Sequence, residues 1–253
     1  MRLVSVLWIS LALLFSYEVC ATSLGVWPIN PRIDAPASAT LVWVKNNNKA
    51  ESVILQARIF SWSQVDDQDK LDAQDELVVS PPLIEVKPGS QQIFRIMNRR
   101  GPIESVVTEA AYRLIIDEVP REEGAPESLL RFQMRYSLPL FVGLPDGYVG
   151  EQLSLRLKKL EADLRYRIVQ QPSPSIEIFN QSPVHARLSH VVSDSIEPGN
   201  KSFFISQGLL GYVLPYSSGK WPLAKEQADA LKQGTMKVVF EQEHQELTIA
   251  VEK

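Results

Sequence analysis

Residues 130–142 carry the strictest pattern in this sequence, because a large apolar side chain occupies every second position. The members of this row are Leu130, Phe132, Met134, Tyr136, Leu138, Leu140 and Val142. Side chains that alternate with a period of two lie on one face of a β-strand. At about 3.3 Å per residue the row needs roughly 40 Å, more than a usual strand offers. The pattern therefore predicts a long strand, part of whose apolar face overhangs the core of its own domain.

Two interpretations of this strand are open from the pattern alone. In the first, the whole row packs inside its own domain as a long, half-buried strand. In the second, Leu130, Phe132 and Met134 are lent to another protein, whose sheet gains this segment as an added strand. An exposed apolar strand edge invites aggregation, so an exported protein that keeps one is expected to use it.

The first 21 residues are expected to be a secretory signal peptide. Arg2 precedes the uncharged segment 3–15, which is too short to span a bilayer. The small residues Val19, Cys20 and Ala21 favour cleavage after Ala21, whereas a lipoprotein interpretation would use Cys20 as the lipidated residue. Since Cys20 is the single cysteine, cleavage after Ala21 leaves an exported chain that core packing alone must stabilise.

The rest of the sequence consists of short segments rich in β-branched and aromatic residues, bounded by turn residues. This spacing predicts an all-β fold of two β-sandwich domains in tandem. The turn signal Leu144-Pro145-Asp146-Gly147 is the candidate linker, so the N-terminal domain is expected over 22–144 and the C-terminal domain over 145–253. Strands are expected over 40–45, 53–62, 92–97, 112–117, 130–142, 154–160, 164–170, 175–179, 185–192, 202–205, 210–214, 237–241 and 246–251, and a short helix around 223–231.

No residue pattern in the sequence indicates catalysis, and the chain is not expected to be an enzyme. It contains no nucleophile elbow, glycine-rich phosphate loop or zinc-protease motif. His185 and His190 fall on opposite faces of a predicted strand, so they are interpreted as ordinary surface or edge histidines. The acidic segment 66–76 lacks the glycine and ligand spacing of a calcium loop and is expected to be a solvated loop. No metal or cofactor is therefore expected.

Composition excludes two further classes of protein. The formal net charge is −4 and the sequence pI is about 5.5, so there is no overall basic surface for a nucleic-acid partner. Charged residues make up 22% of the chain, which argues against a protein with several membrane spans.

Several short motifs occur in an order that resembles the PapD-type periplasmic pilus chaperones. They are Asn30-Pro31-Arg32-Ile33, Ser80-Pro81-Pro82-Leu83-Ile84, Lys87-Pro88-Gly89-Ser90, Phe94-Arg95-Ile96, Glu109-Ala110-Ala111-Tyr112-Arg113-Leu114 and Glu118-Val119-Pro120. The matches extend over about residues 24–145. Within them, residues 135–142 resemble the archaic, spore-coat-U-associated branch of the family.

The resemblance implies two immunoglobulin-like domains and a chaperone that binds, folds and caps pilus subunits in the periplasm. Subunits of this class lack their last strand, and the chaperone fills the resulting groove by donor-strand complementation. The residues implied to enter the groove are Leu130, Phe132, Met134 and Tyr136. The resemblance also implies delivery to an outer-membrane usher by a chaperone that is not itself an integral membrane protein after signal-peptide cleavage.

A second implication of the resemblance is a basic pair that binds the subunit's C-terminal carboxylate. Arg32 matches the arginine of this pair, but the lysine position falls on Pro139, so Arg113 on the neighbouring predicted strand is the expected substitute. The alternative for Arg113 is an outward arginine in a surface ion pair. Glu109 matches a glutamate of interdomain charge contacts, but the position of its arginine partner is Gly143, so this network is not transferred.

Two other functional classes stay open. A secreted immunoglobulin-like adhesive or carbohydrate-binding protein could share the fold and use Trp27, Trp43 or Trp62 to contact a ligand. An exported hydrolase is the third class, although the expected nucleophile and metal patterns are missing. The fold alone does not decide among them.

Overall fold

The structure is a computed structural model that describes residues 24–120, 133–151, 153–195, 203–232, 234–240 and 245–252. The expected signal peptide over 1–21 lies outside these ranges, and so do Leu130 and Phe132. The predicted all-β class with two sandwich domains is confirmed.

The strands of the first domain lie between Leu24 and Val142. Their bounds are β1 (Leu24–Trp27), β2 (Arg32–Ile33), β3 (Ala39–Asn46), β4 (Val53–Val65), β5 (Gln68–Asp72), β6 (Leu77–Ser80), β7 (Leu83–Val86), β8 (Gln91–Asn98), β9 (Ala110–Val119) and β10 (Arg135–Val142).

Two sheets of the first domain pack around one core. One sheet has the order β1-β3-β8-β6, and the other has the order β2-β10-β9-β4-β5, with β7 also paired to β4. Inward side chains of both sheets, such as Phe94 of β8 and Leu140 of β10, meet in the same cluster. Strand β10 is antiparallel to β9 and parallel to β2, with Arg135 opposite Asp117 and Phe141 opposite Arg32.

A short 3₁₀ turn over Asp146–Tyr148 leads into the second domain. Its elements are α1 (Leu153–Asp163), β11 (Leu164–Val169), β12 (Ser175–Asn180), β13 (Ala186–Ser195), β14 (Phe203–Val213), β15 (Ser218–Pro222), α2 (Lys225–Lys232), β16 (Gly234–Phe240) and β17 (Gln245–Val251). The strands join in the order β14-β13-β16-β17-β11-β12-β15. Because Ile178 of β12 and Leu188 of β13 share one core, this sheet folds over on itself as a sandwich. The helix expected around 223–231 is confirmed as α2.

The separate strands expected over 202–205 and 210–214 are one strand, β14, and two further local predictions are wrong. Residues 154–160 form most of α1 rather than a strand, because the buried side chains Leu157 and Leu160 follow helical spacing while Leu155 is exposed. The acidic segment contains strand β5 of a hairpin, not only a loop, because Asp66 and Asp67 take the positive φ angles of 51° and 60° that tight hairpin turns use. Every residue of β5 is exposed, so the segment has no alternation of buried and exposed residues from which a strand could be predicted.

No helix among the described residues has the length and apolar character needed to cross a membrane.

Candidate functional site: the edge of β10 and the interdomain cleft

The backbone of β10 presents alternate residues to its two neighbouring strands. The Glu118 N–H donates to the Met134 carbonyl at 3.0 Å, which places the even-numbered residues of β10 in bonding contact with β9. The odd-numbered residues therefore direct their N–H and C=O groups to the other edge, where the Phe141 N–H donates to the Pro31 carbonyl at 3.2 Å. Strand β2 covers that edge only at Phe141 and Val142. Within the described ranges, no strand pairs with the edge from Arg135 to Pro139.

Pro139 lies at one of these outward positions. Proline has no N–H group, and in a sheet it is tolerated where that group would not face a paired strand. Because the Pro139 nitrogen faces away from β9, the β9–β10 ladder loses no hydrogen bond. The same residue limits what a strand added at this edge can bond: the amides of Arg135 and Ser137 can donate, whereas position 139 can only accept.

The side chains of the alternating row divide between the domain core and solvent. Leu138, Leu140 and Val142 are buried in the core of the first domain, and Tyr136 packs partly against it. Met134 precedes the strand and is 43% exposed. The structure thus encloses the C-terminal part of the row and leaves Met134 at the surface, while Leu130 and Phe132 are outside the described residues.

Arg32 lies beside the covered end of this edge, on the face of β2 opposite to the buried Ile33. Its Nε and Nη2 groups donate to the two carboxylate oxygens of Asp34, each at 3.0 Å. Nη1 forms an ion pair with Oε1 of Glu109 at 2.7 Å. Burial alone would lower the pKa of Arg32, but the hydrogen bonds to Asp34 and the charge of Glu109 raise it above its ordinary value.

Glu109 joins the two domains through His185. The Glu109 side chain is 0% exposed, and its Oε2 accepts the backbone N–H of His185 at 2.9 Å and lies 2.6 Å from the His185 Nδ1. The Glu109 N–H also donates to the Pro183 carbonyl. Burial on its own would raise the pKa of Glu109, but the charge and hydrogen bond of His185, with the charge of Arg32, hold it below its ordinary range.

The sequence interpretation of His185 as a surface or edge histidine is wrong. Its ring stacks on Phe141 at a centroid distance of 3.5 Å and an interplanar angle of 2°. Glu109 does make an interdomain contact, with His185 rather than with position 143. Gly143 has a φ of +77°, and a Cβ there would lie 2.8 Å from the Val106 side chain, so an arginine does not fit. No sequence pattern links positions 109 and 185, which come together only through tertiary packing.

Arg113 occupies a different part of the same cleft. Its guanidinium lies 3.6 Å from the ring centroid of Trp62, and 5.8 Å from that of Tyr212 in the second domain. Its ion pair with Asp69 is long, at 3.6 Å, and burial lowers the pKa of Arg113. Arg113 also lines an interdomain cavity of about 420 Å³. It is therefore largely enclosed by aromatic rings and is not an outward surface arginine.

An aromatic floor separates the two arginines. Phe141, Trp62 and Tyr212 form a buried cluster, in which Phe141 lies beneath Arg32 and Trp62 lies beneath Arg113. Arg32 on β2 and Arg113 on β9 are two strand spacings apart across the sheet and two residues apart along it. Their Cα atoms are therefore separated by roughly 12 Å. Each arginine also has its own carboxylate partners, Asp34 and Glu109 for Arg32 and Asp69 for Arg113.

The comparisons with known proteins address the first domain and the whole chain separately. Residues 32–148 match the family described as the pili and flagellar-assembly chaperone, PapD N-terminal domain. A chain of the crystal structure of the CsuC-CsuE chaperone-tip adhesion subunit pre-assembly complex, from archaic chaperone-usher Csu pili of Acinetobacter baumannii, is 27% identical. That similarity has a TM-score of 0.67 and covers 91% of this chain and 100% of the other.

More distant structures share the architecture. The Pseudomonas aeruginosa CupB2 chaperone is 16% identical, with a TM-score of 0.56 over 88% of this chain and 97% of its own. A chain of the Salmonella enterica SafA pilin–SafB chaperone complex is 18% identical, with a TM-score of 0.57 over 88% of this chain and 92% of its own. At these identities the similarity shows the fold alone. A search of curated proteins found no match.

Proposed function

From the premise that the chain is similar to the PapD-like pilus chaperones, and to their archaic branch in particular, we propose that it binds and caps pilus subunits by donating an edge strand. The observation that carries the proposal is the edge of β10: it is unpaired from Arg135 to Pro139 in the described chain, and Arg32 stands where β2 begins. The A. baumannii relative was crystallised with a tip adhesion subunit, which supports a subunit as the partner.

The direction of β2 determines how a guest strand would meet Arg32. Strand β2 runs parallel to β10 and begins at Arg32, opposite Phe141. A guest strand parallel to β10 would lie in line with β2, and its last residue would end beside Arg32. A guanidinium binds a carboxylate through two parallel charge-assisted bonds. Arg32 would therefore fix the register of the guest as well as contribute to its affinity.

The apolar residues before β10 supply the other part of the proposed interaction. Met134 is exposed on the face that Leu138 and Leu140 bury in the domain core. By continuation of the row, Leu130, Phe132 and Met134 would fill the open groove of the subunit, each contributing about 1.5–3 kcal/mol before ordering costs. Tyr136 packs partly on its own core, so we assign it to the boundary between the domain and the guest.

We keep Arg113 as the second cation of the proposed site. It faces the same cleft as Arg32 and is linked to Asp69 only by a long ion pair. A Cα separation of roughly 12 Å allows two extended arginine side chains to converge on one group, so Arg32 and Arg113 remain the two proposed carboxylate anchors. This arrangement replaces the lysine whose position is occupied by Pro139.

The cellular setting is part of the same proposal. We propose that residues 1–21 direct the chain to the periplasm, that the domains divide between residues 144 and 145, and that the loaded chaperone delivers subunits to an outer-membrane usher. The periplasmic setting of the PapD-like group and the similarity to an archaic chaperone-usher protein support these steps.

One observation favours a second candidate function, carbohydrate binding. The rings of Trp27 and Trp43 are stacked at 6.4 Å with an interplanar angle of 7°, and Trp27 is exposed. Trp62 cannot take part, because it is buried in the aromatic floor of the cleft, which corrects its inclusion as a ligand-contacting residue. Glycan-array binding that is lost on Trp27→Ala would support this function.

The proposed function is tested by the proteins that co-purify with the tagged chain. From a periplasmic extract of the encoding bacterium, we expect a pilus subunit to co-purify with the wild-type chain and not with Arg32→Glu, as judged by mass spectrometry. The matched control is Arg167→Glu, which reverses the charge of an arginine that pairs with Glu177 in the second domain and should retain the subunit. Subunit binding by a folded Arg32→Glu chain would refute the anchor.

A further inference from the structure

Arg32 already holds two carboxylates of its own chain. Asp34 accepts two hydrogen bonds, from Nε and Nη2, in the side-by-side geometry that a free carboxylate would adopt. Glu109 pairs with Nη1 from the other side. The Arg32 guanidinium therefore already has two carboxylate partners within 3.0 Å, and a third carboxylate arriving at Arg32 would have to compete with them for its N–H groups.

The two carboxylates differ in their freedom to leave. Glu109 is 0% exposed and is also bonded to His185, so moving it would break one of the contacts between the domains. Asp34 has a side chain that is 37% exposed, and its carboxylate contacts among the described residues are those with Arg32. A carboxylate that rotates into water is solvated there, so leaving Arg32 costs Asp34 less than it would cost the buried Glu109. Asp34 is thus the exchangeable partner.

We propose that Asp34 is an internal placeholder for the carboxylate of the guest, and that it must leave Arg32 before a subunit is anchored. This inference rests on the proposed function, since it assigns Asp34 a role at the same anchor. A subunit whose strand is out of register cannot bring its terminal carboxylate to Arg32 and leaves Asp34 in place. The contact with Arg32 then selects correctly positioned guests instead of attracting every carboxylate.

The placeholder has a measurable consequence for a simple carboxylate. When a site is open in only a fraction of molecules, the apparent dissociation constant rises by the inverse of that fraction. A minor state is typically populated at about 10% or less, so removal of the placeholder should tighten carboxylate binding at Arg32 about tenfold or more. A purely positioning role for Asp34 makes the opposite prediction, because its removal would loosen the guanidinium and weaken binding.

The experiment uses acetate as the probe and the full exported chain labelled with ¹⁵N-arginine. Acetate is titrated at constant ionic strength while the Nε–Hε signal of Arg32 is followed by NMR, with the assignment made from the signal that Arg32→Lys removes. Asp34→Asn keeps the side-chain shape and removes the charge, and Asp34→Ser is the second variant should the first fail to fold. Asp229→Asn removes the same charge from an exposed pair with Lys232 in the second domain and is the matched control.

We expect the acetate dissociation constant at Arg32 to fall about tenfold or more in Asp34→Asn and to stay unchanged in Asp229→Asn. Equal or weaker binding by Asp34→Asn would overturn the placeholder. It would mean that acetate binds wild-type Arg32 through the free N–H groups of Nη1 and Nη2 while Asp34 stays bound. No subunit is needed, so this failure is separate from that of the proposed function. The proposed function fails if no pilus subunit co-purifies with the wild-type chain, and its anchor fails if folded Arg32→Glu still binds a subunit.

Discussion

The alternating row is exposed where β10 begins and buried where it ends. Met134 is 43% exposed, whereas Leu140 is 0% exposed although both belong to the same parity of the same segment. Leu140 faces side chains of the opposite sheet, including Val42 and Phe94, in a shared core. Met134 is not among the described side chains that pack in or against this core. The comparison shows that alternation specifies the face of a strand but does not specify which protein covers it.

A second difference separates the two ends. At the buried end of β10, the face that points away from the first core is also covered, because Phe141 stacks on His185 of the second domain. At the exposed end, Arg135 pairs with Asp117 on the neighbouring strand and leaves the outer edge of the backbone unpaired within the described residues. The strand is therefore fixed at one end by both domains and is available for pairing at the other.

The largest effect is expected from shortening a side chain at the buried end. Leu140→Ala leaves a cavity in the first core, and the free energy of unfolding should fall by about 2–5 kcal/mol. Urea denaturation followed by tryptophan fluorescence measures this change. Leu155→Ala, on the exposed face of α1, is the matched control and should change stability by no more than about 0.5 kcal/mol. A loss below about 1 kcal/mol for Leu140→Ala would contradict the burial contrast.

Local pattern predicted the strands better than the contacts of the site. The β-branched and aromatic runs located β3, β4, β8 and β9 to within a few residues, since each has one buried face. Strand β5 was missed because all its side chains are exposed. In α1, leucines at alternate positions produced the pattern of a strand. The structure shows instead that Leu157 and Leu160, three residues apart, are buried in the same core. Strand β7 was also missed although its burial alternates, so a buried period favours the detection of a strand without ensuring it.

At the site, the sequence predicted the position of Arg32 but not the residues that contact it. A motif placed Arg32, and the structure locates it at the start of β2 beside the edge of β10. The Asp34 contact and the Glu109–His185 contact depend on side-chain orientation and on the docking of two domains. Neither leaves a periodic signal in the sequence, so neither could be predicted from it.

An intermediate effect is expected from the charge cluster that holds the buried end against the second domain. Glu109→Gln removes a buried charged partner of Arg32 and His185, and should lower the free energy of unfolding by about 1–3 kcal/mol at neutral pH. Because the pKa of Glu109 in the folded chain is below the ordinary value of 4.5, its stabilising contribution is present above that value. The contribution is lost as the pH falls through the folded pKa.

The pH profile therefore separates this cluster from general acid denaturation. Urea unfolding between about pH 7 and about pH 3 should show a stability loss in the wild type below pH 4.5 that is smaller in Glu109→Gln. Glu104→Gln, which changes an exposed carboxylate, should keep the wild-type profile. If the free energy of unfolding falls with pH equally in the wild type and in Glu109→Gln, the Glu109 carboxylate does not contribute to the loss of stability in acid.

The smallest effect on stability is expected at the exposed end, where the effect on binding should be largest. Met134→Ser changes an exposed side chain and keeps the backbone bond between Met134 and Glu118, so the free energy of unfolding should change by no more than about 0.5 kcal/mol. The same variant should retain less subunit in the co-purification assay, because it removes an apolar group that we propose is donated to the guest. A stability loss above about 1 kcal/mol with unchanged subunit binding would place Met134 in its own core, and both ends of the row would then serve this domain alone.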